Sequence, residues 1–170
     1  MSNLAFIDGQ NLHLGTIVSG WKIDYERFRV YLREKYKVSE AYYHLGYVSE
    51  EQQDLYSNIQ KAGLILVFKE HSSTLKGKKK GNVDTDVVFA IMRELIERLK
   101  EFNKVILISG DGDYKKVVDY LIKKGRFLKI LFPNTKARSS LYNKIGGDKF
   151  DYLDRQDVRS IIEYKKRKSP

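Results

Sequence analysis

Short apolar runs rich in β-branched or aromatic residues alternate along this chain with stretches of helical spacing, and that alternation restricts the fold more than any other feature. The runs occupy residues 4–7, 41–48, 64–68, 105–108 and 127–132. Between them, four sets of apolar residues each recur along one helical face: Tyr25, Phe28, Leu32 and Tyr36; Leu55, Ile59 and Ala62; Val88, Ile91, Leu95 and Leu99; and Val117, Val118, Leu121 and Ile122. A short extended piece is expected at 150–153 and a last helix near 158–164. Strand alternating with helix implies right-handed crossovers and a mostly parallel sheet covered on both faces. The expected fold class is α/β, a three-layer α/β/α sandwich around a mostly parallel central sheet. At 170 residues, with no internal repeat and no Pro/Gly/Ser-rich linker, the chain fits one domain. Residues 1–155 form its body, and 156–170 supply a C-terminal helix and basic tail of the same domain.

In such sheets the loops at the carboxyl ends of the strands gather on one edge, and ligands bind there. Two strands deliver acids to that edge in the same way. Leu4-Ala5-Phe6-Ile7 runs into Asp8, then Gly9-Gln10-Asn11; Val105–Ile108 runs into Ser109-Gly110-Asp111-Gly112-Asp113. A third segment, Gly81-Asn82-Val83-Asp84-Thr85-Asp86, opens a helix. Asp84 lies four, seven and eleven residues before Val88, Ile91 and Leu95, so it continues the stripe that faces the sheet. Asp86 falls about 200° further round and is expected only to favour the helix N-terminus. Each acid alone has a plain structural explanation: Asp8, Asn82 or Asp84 as a helix cap, Asp111 and Asp113 as turn residues. Together they converge from three distant segments, and carboxylates so placed repel by several kcal/mol at ~4 Å in an intermediate dielectric. A divalent cation relieves that conflict. Mg²⁺ or Mn²⁺, hard and oxygen-seeking, suits the donors.

The net charge of +10 adds the second constraint. Lys76, Lys78, Lys79 and Lys80 form one cluster, and Lys165, Lys166, Arg167 and Lys168 another. Local positive field of this kind fits contact with polyphosphate. The four lysines just before Asp84 are the expected contacts to phosphates flanking a bound one. An acidic metal site in a basic chain implies an anionic substrate, and phosphodiester hydrolysis is the economical conclusion. Zero cysteines exclude disulfides and thiolate metal sites. No apolar run approaches the ~20 residues that span a bilayer, and no signal segment opens the chain, so a cytoplasmic location without membrane contact is expected.

Phe6-Ile7-Asp8-Gly9-Gln10-Asn11-Leu12, Lys80-Gly81-Asn82-Val83-Asp84 and Ile108-Ser109-Gly110-Asp111-Gly112-Asp113-Tyr114 resemble, in order and spacing, the three signature blocks of NYN domains, specifically the LabA-like branch. The resemblance extends over roughly residues 2–155. It implies the PIN-like (Rossmannoid) fold and a Mg²⁺- or Mn²⁺-dependent ribonuclease acting on RNA, with 5′-phosphate and 3′-hydroxyl products. By position it makes Asp8, Asp84, Asp111 and Asp113 the catalytic, metal-holding acids. Asn11 becomes their polar partner and Ser109 a hydrogen-bonding neighbour. Gln10 departs from the usual Asn or Glu, at a position expected to point away from Asp8.

Other classes fit less well. A haloacid-dehalogenase-type phosphatase needs an aspartate where Gln10 stands. A Toprim-like nuclease would use Asp111 and Asp113 but expects glutamate, not Asp8, after the first strand. Residues 77–81 lack the Gly-Lys-Ser/Thr ending of a Walker loop, and Gly9 alone is too little for a dinucleotide turn. A non-catalytic, regulatory RNA-binding module remains open beside the enzyme. Single-stranded RNA is the expected partner, since a shallow edge must align one backbone over the metal. Tyr114, next to Asp113, is the aromatic best placed to stack on a base. Of the histidines, His44 and His71 have no partner at metal-ligand spacing, while His13 could face the acidic edge.

Overall fold

The computed structural model describes residues 1–70 and 82–166. Its centre is a six-stranded, wholly parallel sheet of β1 (Asn3–Asp8), β2 (Val38–Leu45), β3 (Ile65–Phe68), β4 (Val105–Ile108), β5 (Phe127–Phe132) and β6 (Phe150–Tyr152), in the order β3-β2-β1-β4-β5-β6. Every pairing is parallel; Phe6 lies opposite Tyr42 on one side and Leu107 on the other. Connections to the left of β1 precede those to its right, so the order reverses between β1 and β4. The crevice at that switch point is where doubly wound sheets bind ligands.

Both faces of the sheet are buried, which explains why the strands read as apolar runs and not as alternating patterns. Ala5 and Ile7 of β1, with Ile106 and Ile108 of β4, pack beneath α1 (Gly9–Ile17), α2 (Tyr25–Tyr36), α3 (Gln53–Lys61) and α6 (Gln156–Ile162). Leu4, Phe6, Val105 and Leu107 pack on the opposite face, beneath α4 (Asp84–Glu97) and α5 (Lys115–Lys123). This is the expected three-layer sandwich, with a sheet that is parallel throughout.

Two expectations shift. β2 starts three residues earlier than the apolar run at 41–48 and stops at Leu45. The buried face of α4 is Val83, Val87, Ala90, Ile91 and Glu94; Val88 and Leu95 are only half-buried and Leu99 is exposed. Glu94 tolerates burial because Arg98 bonds it at 2.9 Å, and that same guanidinium holds Glu40 at 2.7 Å. The true face lies one position back from the apolar stripe, and a paired carboxylate occupies a place that hydrophobicity alone assigns to the surface. Asp84 still continues it, three and seven residues before Val87 and Ile91.

Candidate functional site

Asp8 ends β1 and caps α1 at once. Its Oδ1 accepts from the Asn11 amide at 3.0 Å, and its Oδ2 accepts from the Tyr114 hydroxyl at 2.9 Å. The chain can turn from strand to helix here because residue 9 is glycine: a Cβ would strike the Tyr43 ring and stand 2.7 Å from the His44 carbonyl oxygen. Asn11 Oδ1 accepts from the Gly110 amide at 2.8 Å, pinning α1 to the loop after β4. In that loop Ser109 Oγ accepts from the Asp111 amide at 3.1 Å, and Asp111 Oδ1 from the Asp113 amide at 3.0 Å. Gly112 admits Ser139, whose Oγ lies 2.5 Å from where a Cβ would stand.

The four aspartates are electrostatic neighbours. Burial raises the Asp8 carboxyl above its ordinary range, and the charges of Asp111 and Asp84 add to that. The Asn11 amide and the Tyr114 hydroxyl pull in the other direction. The exposed Asp113 carboxyl is raised first by the charge of Asp111 and then by a hydrogen bond with Asp84. The Tyr114 hydroxyl is pushed well up by burial and by the charge of Asp8 beside it. Asp84, not Asp86, is the acid of the middle segment whose charge reaches Asp8, Asp113 and Tyr114. Asp86 is half-buried instead, and its Oδ2 has no hydrogen-bond partner among the described residues.

Asp8, Asp84, Asp111 and Asp113 form no ion pair among the described residues, so their mutual repulsion is uncompensated there. The donors are hard oxygens, and each Asp8 oxygen keeps a lone pair beyond the bond it accepts. Among the described residues no three His, Cys, Asp or Glu side chains are grouped closely enough to hold an ion unaided. Binding here would draw the side chains inward or keep waters in the shell, as Mg²⁺ ordinarily does. The donor set fits such an ion.

Sequence reasoning misplaced one aromatic and missed another. Tyr114 is wholly buried on Asp8 and offers no face to a base. Tyr142, not singled out beforehand, donates to the Asp111 carbonyl at 2.5 Å from a loop 31 residues downstream. Nothing in its local sequence marks it. His13 lines a cavity of about 820 Å³ between α1, α2 and α3, in company with Tyr25 and Tyr43. His44 lies beside Asp8 on β2, fully buried; burial first, and Arg93 next, lower it to about 4. Gln10 is exposed, as expected. Lys76, Lys78, Lys79, Lys80 and His71 lie outside the described residues. No helix among those described is long and apolar enough to cross a membrane.

The model of the family described as the NYN domain matches residues 4–145, a span that contains all four aspartates, Asn11 and Tyr142. The Low amplitude and bright protein LabA of Synechococcus elongatus is 23% identical over 174 residues, covering 97% of this chain and 89% of its own. Among solved structures, a Vibrio parahaemolyticus protein of unknown function superposes with a TM-score of 0.74 at 19% identity, over 90% of this chain and 93% of that one. A T5 5′-exonuclease mutant gives a TM-score of 0.45 at 16% identity, over 85% and 56%.

Proposed function

The chain belongs to the NYN domain family, and from that premise we propose that it is a metal-dependent ribonuclease whose active site is the aspartate-lined edge at the ends of β1 and β4. Family membership supports a nuclease-type function; RNA as substrate and Mg²⁺ or Mn²⁺ as cofactor are the finer steps. The observation that carries the cofactor is the convergence of four mutually repelling carboxylates without a cationic partner among the described residues, while RNA is what the resemblance to NYN ribonucleases implies. Asp8, Asp84 and Asp111 would hold the ion, with Asp113 completing the set. Once bound, it would neutralise charge developing on the phosphate and make water more acidic.

The chain's own groups do the positioning. Tyr114 and the Asn11 amide fix both oxygens of Asp8, and Ser109 and Tyr142 fix the backbone that presents Asp111. Asn11 Oδ1 sets the distance between the two loops. Groups held this way need little reorganisation as charge develops. Lys76, Lys78, Lys79 and Lys80, just before α4 in sequence, would hold flanking phosphates of a single strand.

Incubating the protein with a mixed single-stranded RNA pool in Mg²⁺, Mn²⁺ or EDTA tests this. Cleavage should need the metal, leave 5′-phosphate ends, and fall at least about a hundredfold in Asp84→Asn. Cleavage that persists in EDTA, or in the variant, contradicts the assignment. RNA binding without any cleavage would favour a non-catalytic module.

A further inference from the structure

The loop that follows β5 is docked on the acidic edge. Besides the Tyr142 bond to Asp111, the Ser139 amide donates to the Gly110 carbonyl at 2.9 Å. Asn134, buried at the start of the loop, ties it to α1: its Nδ2 donates to Gly15 O at 3.1 Å and to Ser19 Oγ at 2.6 Å. Its Oδ1 accepts from the Lys136 amide at 2.7 Å, so the turn is held from both sides. Between this loop and α1 runs a cleft of about 170 Å³, lined by Asn11, Leu14, Val18, Gly110, Pro133 and Ala137. Asn11 and Gly110, bonded to each other, stand beside the acidic site as well, so the cleft and that site share a wall.

The loop that walls the cleft carries positive charge beside the cleft's apolar lining, and the two together point to one kind of occupant. Residues 133–147 contain Lys136, Arg138 and Lys144 and no acid. Lys136 and Lys144 are exposed, and neither forms an ion pair among the described residues. Arg138 is turned inward over the rings of Phe132 and Phe150, 5.6 Å from each, and braces the loop. The cleft wall is apolar yet open to solvent: Leu14 is 52% and Val18 72% exposed. Cations for phosphates beside an apolar surface for a ring match a single nucleic-acid strand.

We infer that a single strand bound at the acidic edge continues along this cleft, with a base against Leu14 and Val18 and its phosphates on Lys136 and Lys144. This rests on the nuclease reading above and names the path its substrate takes. It adds a second set of phosphate contacts, from the loop after β5, to the lysines that precede α4.

The test is binding of a fluorescently labelled single-stranded oligouridylate, measured by anisotropy across a salt series with Ca²⁺ present. The protein is compared with Lys136→Glu/Lys144→Glu and with Leu14→Ser. Lys123→Glu/Lys124→Glu, at the far end of α5, makes the same change of charge elsewhere. The loop pair should weaken binding at least tenfold and flatten the log–log salt dependence by about 1.4, from ~0.7 per phosphate contact on a single strand. Leu14→Ser should weaken it several-fold with the salt slope unchanged, and the α5 pair should shift it less than twofold. A loop pair that binds like the unmodified protein, or an α5 pair that weakens binding equally, overturns the path. Unmodified protein that binds no oligonucleotide overturns the nuclease reading itself, and the path with it.

Discussion

Asp8 is both a helix cap and a buried acid under repulsion, and the two roles can be separated by pH. An acid whose folded pKa is raised favours the folded state below its ordinary value. It withdraws that stability as pH rises through the raised one. Asp8→Asn keeps a good capping residue and removes the charge. In metal-free buffer its melting temperature should therefore exceed that of the unmodified protein at neutral pH, and the gap should close as pH falls toward the ordinary carboxylate range. A gap independent of pH would mean that Asp8 carries no buried charge. Tyr114→Phe addresses the same carboxylate from its partner. Losing a hydrogen bond to a charged group, worth about 1.5–3 kcal/mol, should raise the Asp8 pKa and move the acidic limb of the kcat/KM–pH profile upward. An unmoved limb would show that Tyr114 does not set this group. The aspartates were legible residue by residue because each follows an apolar strand or continues a helical face. Tyr114 was legible as a neighbour of Asp113 but not as a buried donor, since its direction depends on the 3₁₀ turn at Gly112–Tyr114.

α4 shows what helical periodicity can and cannot resolve. The apolar stripe at Val88, Ile91, Leu95 and Leu99 missed the buried face by one position, because Glu94 is buried through Arg98 and the helix ends at Glu97, before Leu99. The 3.6-residue period still separated two acids two residues apart. Asp84 reaches the other carboxylates, whereas Asp86 holds a buried oxygen unpartnered among the described residues. Asp84→Ala should abolish cleavage, while Asp86→Ala should keep most of it and change stability by no more than about 1 kcal/mol. Single-turnover rates and thermal melts of the two variants decide this. Equal loss of activity in both would put Asp86 in the site as well.

At the scale of the whole molecule, strand–helix alternation was enough to anticipate a three-layer α/β sandwich, but not the order β3-β2-β1-β4-β5-β6. Crossovers of similar length permit several orders, and only packing selects among them. That order matters, because it sets β1 beside β4 and so brings Asp8 to Asp111 across 103 residues. The long-range contacts of Tyr142 and the loop after β5 follow from the same packing and left no mark in the sequence. The central claim is that acids from three segments form one ion site. Manganese-induced thermal stabilisation tests it without needing a substrate. An ion at a hundred times its Kd contributes about 2.7 kcal/mol, which should raise the melting temperature of the unmodified protein by roughly 5–10 °C. Asp8→Asn, Asp84→Asn and Asp111→Asn should each lose most of that rise. If all three variants were stabilised as much as the unmodified protein, the acids would not share an ion.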